Sequence, residues 1–195
     1  MKLFATLILS TMAAASLVAA SIPRCDLNGA GKSGNVKLNP ETVDGGMRVA
    51  RQTWGPEETR QFRLVAVAAK PVGPEWTLCK FTFTPETSGS VYLAVGGQWA
   101  KTPEARGWLA VSKLSVNGTP VSNADLKKVS DRNGKQIPNG FWVYGKTVYV
   151  ADGGPDGAAA MLVNHDSRLT RVIKVEGGQP VTVEYMAKAV ETPAN

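Results

Sequence analysis

The stretch LTRVIKVEGGQPVTVEYMAKA, residues 169 to 189, decides the fold class. Before Glu176-Gly177-Gly178-Gln179, the residues Leu169, Ile173 and Val175 share one face, and Thr170, Val172 and Lys174 the other. After it, Val181, Val183, Tyr185 and Ala187 alternate with Thr182, Glu184, Met186 and Lys188. Side chains change face at every residue of a strand, so each run is a strand with one buried and one largely wet face. The glycines supply a tight turn, and the pattern predicts a hairpin.

Upstream the same signals recur. Met47 to Trp54 is read as a first strand, followed by Gln61 to Lys70, Trp76 to Thr84, Ser90 to Val95 and Trp108 to Val116. The last of these ends in the turn dipeptide Asn117-Gly118. Val121 to Pro138 is polar, with one helical turn expected near Ala124 to Val129. It is long for a connection, so it should cover an edge or a site. Lys146 to Ala151 and Ala158 to Asn164 are further strands on either side of the turn sequence DGGPDG. Seven to nine short strands with almost no helical period predict an all-β, antiparallel β-sandwich.

At the N-terminus, Lys2, the apolar runs Leu3–Leu9 and Met12–Val18, and Val18-Ala19-Ala20 read as a signal peptide over residues 1–20. The run is too short and too interrupted for a comfortable span, about 20 apolar residues being needed. A secreted or periplasmic protein follows, with no membrane insertion after the signal is removed. Residues 21–46, rich in Gly, Asn, Pro and Lys, form a loose lead-in, and 47–195 a single sandwich domain.

Losing Lys2 with the leader would lower the net charge from +6 to +5. The basic residues are scattered, which argues against a nucleic-acid partner, since that needs one clustered face. Two cysteines remain, Cys25 and Cys79. Export permits a disulfide between them, worth ~3 kcal/mol through the restricted unfolded chain; two unbridged thiols are the alternative. With one histidine, they cannot supply the usual four ligands of a zinc site.

Catalytic chemistry has little to stand on, and no catalytic residue is assigned. His165-Asp166-Ser167 holds the residue types of a triad, but consecutive residues do not converge as one. Glu176 and Glu184 would act as a glycosidase pair only across one cleft. No cofactor is implied.

Several segments together resemble jelly-roll carbohydrate-binding modules of the galactose-binding-like type. GGQPVTVEYMAKA after LTRVIKV is similar to an alternating strand pair near the middle of those modules. Pro138-Asn139-Gly140-Phe141 is similar to their entry motif, and DGGPDGAAAMLVN to their small-residue lead into a strand. EWTLCKFTFTPETSGSVYLAVGG and GWLAVSKLSVNG match the later half, yet lie at residues 75 to 118. The halves stand in exchanged order, as in a circularly permuted jelly roll. Many such modules hold calcium, but here no carboxylate follows Asn139-Gly140, and Val111-Ser112-Lys113 replaces the aspartates. A hard cation wants several oxygen ligands, so no metal is expected, and Asp152 and Asp156 read as turn formers.

The resemblance implies non-catalytic carbohydrate binding through loop aromatics. Trp99, Trp142, Tyr144 and Trp54 are the ring candidates, with Gln98, Asn164 and Arg168 as polar partners. Trp76 and Trp108 begin strands and are expected to pack. The alternative is an envelope or extracellular protein-interaction domain, because no catalytic domain accompanies the module.

Overall fold

The computed structural model describes residues 24–31, 38–41, 47–54, 61–85, 87–102 and 106–193, with side chains before Lys70 described only at Arg24 and Leu27. The expected leader lies outside these residues. Among the described residues no helix is long and apolar enough to cross a membrane.

The protein is an antiparallel β-sandwich. The first sheet contains β1 (Arg24–Gly31), β3 (Met47–Trp54), β4 (Gln61–Pro71), β6 (Gly89–Gly97), β11 (Trp142–Tyr144) and β14 (Arg168–Val175). Their order is β11-β14-β6-β1-β4-β3. The second contains β2 (Leu38–Glu41), β5 (Thr77–Pro85), β7 (Trp108–Val116), β12 (Val148–Val150), β13 (Ala160–Val163) and β15 (Val181–Val190). These run β12-β13-β7-β15-β5-β2, with β8 (Thr119–Pro120) appended to β7. A separate ribbon joins β9 (Val129–Arg132) to β10 (Lys135–Pro138).

Alternation set the inner faces. Val91, Leu93 and Val95 of β6 and Leu169, Ile173 and Val175 of β14 meet Phe81, Phe83, Val183 and Tyr185 from the other sheet. Each such side chain removed from water contributes roughly 1.5–3 kcal/mol. Phe81 and Tyr185 add a tilted ring contact with centroids 5.8 Å apart.

Four expectations are corrected. The stretch 169–189 contains two strands, but they are not a hairpin: β14 pairs with β6 and β11, whereas β15 pairs with β5 and β7. The Glu176–Pro180 turn crosses between sheets, and its amides bond to the β5–β6 connection, Gly178 to the Pro85 carbonyl (2.7 Å) and Gly177 to Ser88 Oγ (3.0 Å). Two strands lining one core from opposite sides show the same alternation as two neighbours.

Residues 21–46, read as a loose lead-in, carry β1 and β2, and β1 lies mid-sheet between β4 and β6. Its weak apolar pattern is overridden by ladders on both edges. No helical turn forms near Ala124 to Val129, where Leu126 takes φ 59, a left-handed value a right-handed helix cannot hold. Finally, Trp142 and Tyr144 stand on β11 rather than in a loop.

Candidate functional site

One end of the sandwich gathers three of the chain crossings between the sheets. Residues 98–107 join β6 to β7, 145–147 join β11 to β12, and 164–167 join β13 to β14. The crossings are fastened to one another. The Gly97 amide donates to the Asn164 carbonyl (3.1 Å), and the Gln98 amide to the Arg24 carbonyl (2.9 Å). Gly145, at φ +71, brings the chain so close to the Asp166 carbonyl that a Cβ there would collide with it.

Arg168 organises this corner. Its Nη1 donates to the carbonyls of Gly97 (2.7 Å) and Asn164 (3.1 Å). Its guanidinium lies across Gly96, in the space a Cβ would need. On the neighbouring strand Tyr144 stands directly opposite Arg168, and Trp142 opposite Thr170. Val143 turns toward the core, so Trp142 and Tyr144 both face outward, 49% and 72% exposed. Residues two apart on a strand are about 7 Å apart, so the two rings stand in a row on an open face. Tyr92, half-buried on β6, lies on the same outer face.

Trp99 is 60% exposed in the β6–β7 loop. The Arg106 guanidinium lies over its ring, 4.9 Å from the centroid, and is held there by the carbonyls of Ala100 and Lys101. One ring face is thus occupied by a cation–π contact. Arg106 was not singled out from the sequence, and nothing in its spacing from Trp99 marks it.

The structure therefore brings Gln98, Trp99, Asn164, Arg168, Tyr144 and Trp142 to one end and the adjoining corner of the first sheet. Trp54 ends β3, the far edge of that sheet, and its side chain lies outside the described residues. Trp76 and Trp108 are half-buried at strand starts; Lys188 Nζ sits 5.0 Å from the Trp76 centroid.

Asn164, His165, Asp166 and Ser167 form a self-contained turn. Ser167 is fully buried; its hydroxyl accepts from the Asn164 amide (2.9 Å) and donates to Asn164 Oδ1 (3.0 Å). His165 Nε2 pairs with Asp166 Oδ2 at 2.9 Å. The hydroxyl is thus bonded to Asn164 rather than to the imidazole. Glu184 pairs with Lys80 (3.1 Å) on the outer face of the second sheet, and Glu176 lies in the turn at the opposite end from Arg168.

Asp156 pairs with Lys113, and among the described residues no three His, Cys, Asp or Glu side chains gather as metal ligands. Cys79 is fully buried on β5, and Cys25 lies on β1 of the other sheet, its side chain outside the described residues. Among the described residues no two cysteines stand at disulfide distance.

No family model matches the chain, and neither a curated protein nor a solved structure matches it.

Proposed function

We propose that this is an exported, non-catalytic module that binds carbohydrate through the corner built by Trp142, Tyr144, Trp99 and Arg168. The observation that carries this reading is the outward pair Trp142 and Tyr144, two large rings left 49% and 72% exposed on a regular strand. Rings of this kind offer flat apolar faces to sugar C–H groups, with a polar tip on each for hydroxyls. Arg168 and Asn164 lie beside them, and Gln98 joins them to Trp99. The commitment of Ser167 to Asn164 supports a binding rather than a hydrolytic role.

Incubating the mature protein with insoluble polysaccharides and a glycan panel tests the proposal. Retention on at least one glycan, without release of reducing sugar, is expected. No retention on any glycan overturns it. A second reading, a protein-interaction domain, is favoured by the outer face of the second sheet. There Leu78, 49% exposed, lies opposite Met186, and Val148 opposite Leu162. A pull-down from envelope extract that depends on Leu78 would select it.

A further inference from the structure

The connection after β8 is built as a strap. The Val121 amide donates to the Leu114 carbonyl (3.1 Å), the Lys113 amide to Ala124 (3.0 Å), and the Ala159 amide to Asp125 (2.9 Å). The middle bond exists because β7 bulges: Lys113, at φ 53, and Leu114 together occupy the place opposite Tyr185, between the Ser115–Glu184 and Ser112–Met186 pairs. The bulge turns the Lys113 N–H toward the strap. Lifting the strap therefore leaves the β7–β15 ladder intact.

From this strap one large side chain enters the core. Leu126 is 1% exposed, and its backbone is held at φ 59, where a residue with a bulky side chain is strained. Behind it lies a gap of about 10 Å³, room for about one water. Val95 and Leu169 line it from one sheet, Val111 and Tyr185 from the other, and Phe141 from the β10–β11 connection. The far end of the strap is fastened by the Asn139 amide, which donates to the Lys128 carbonyl (2.8 Å), and by one half-buried side chain. Asn123 Nδ2 donates to the carbonyls of Lys128 (2.9 Å) and Asn139 (3.2 Å), while its Oδ1 accepts from the Lys128 amide (2.9 Å).

We propose that Leu126 is the plug of an interior binding site. When the strap lifts, a small apolar ligand, an aromatic ring or a short alkyl chain, takes the place of its side chain between the sheets. A strained residue, an incompletely filled space behind it and a fastening separate from the sheet ladders coincide at this one point. Lifting relieves the strain at Leu126 and exposes a lining that is almost wholly apolar. A polar ligand would leave its own groups unpaired there. The site is interior and independent of the exposed rings, so it does not rest on the carbohydrate reading.

Hydrogen exchange and an indole titration of the full chain, both followed by amide NMR, test this. The Ala124 and Leu126 amides, bonded within the strap to Val121 and Asn123, should exchange at least about tenfold faster than the β7–β15 ladder, through local opening. Indole should shift the amides of Val111, Leu169 and Tyr185 saturably. Asn123→Ala should tighten the apparent affinity about threefold or more, because a larger fraction of molecules is open. Strap amides that exchange only with global unfolding would overturn the proposal. So would the absence of a saturable indole response in the wild type. These wild-type measurements decide the matter even if Asn123→Ala fails to fold.

Discussion

The two ends of the sandwich are built differently. At the end holding the 85–89, 117–118 and 176–180 turns, each turn is tied into its neighbours. The Asn117 amide donates to the Thr182 carbonyl, and the Thr182 amide to Asn117 Oδ1, each at 2.7 Å; Gly178 reaches Pro85 and Gly177 reaches Ser88. No large aromatic is exposed there among the described residues. At the other end the crossings are fastened through Gly97, Asn164 and Arg168, yet Trp99 and Tyr144 project into water nearby. The first end satisfies its own polar groups and stops. The second does the same with its backbone and then spends apolar surface outward, which folding alone does not reward.

The largest test of this contrast is covalent. Cys25 stands two residues before the buried Leu27 on β1 and opposite Gly97, so it shares that register parity at the crossing end, where Cys79 is the third residue of β5. If the protein is exported and its two cysteines are bridged, reduction should lower stability by ~3 kcal/mol. Thiol titration of the unfolded, unreduced mature protein should find none, and two titratable thiols would end the idea.

Next come the rings. Trp142→Ala and Trp99→Ala should each weaken glycan binding by about 2 kcal/mol, roughly thirtyfold, with the melting temperature nearly unchanged. Equal losses of binding and stability would mean the rings are lids, and the two ends would then be alike.

The reverse experiment belongs at the closed end. Asn117→Ala removes the acceptor of the Thr182 amide and puts alanine at φ 50, which should cost about 1 kcal/mol of stability and leave glycan retention untouched. A change in retention would show that this end also contributes to binding.

The smallest effect is alkaline. Burial, then Asp152 and Asp125, hold the Tyr149 phenol above its ordinary value. A raised folded-state value keeps this group's contribution whole below about pH 10 and loses it as the pH climbs toward the folded value. Tyr149→Phe should flatten that alkaline decline in a denaturation series; an unchanged slope would remove Tyr149 as its source.

How much of this was legible varies residue by residue. The inner faces of β5, β6, β14 and β15 follow from alternation, and Val91, Leu93 and Val95 are buried as read. Asn117-Gly118 does form a tight turn, at φ 50 and 74. Asn133-Gly134, at φ 57 and 75, closes the β9–β10 ribbon by the same chemistry, which the Asn-Gly dipeptide itself encodes. The aromatic run 141–144 was legible as candidate residues but not as a strand, because three residues are too few for a period to show.

The sequence by itself determined the all-β class, most strand positions and the face each strand buries. These depend on side-chain polarity at a spacing of two, a local property. Only the tertiary structure decided which strands are neighbours. The Glu176–Pro180 turn has the composition of a hairpin, yet it links opposite sheets, since burial constrains the face of a strand and not its partner. Tertiary structure also made β1 a central strand despite its weak pattern, and it placed Tyr144 beside Arg168 and Arg106 over Trp99. Of those contacts, the first joins two strands made neighbours by sheet order, and the second lies within the single β6–β7 loop; the spacing of the residues encodes neither.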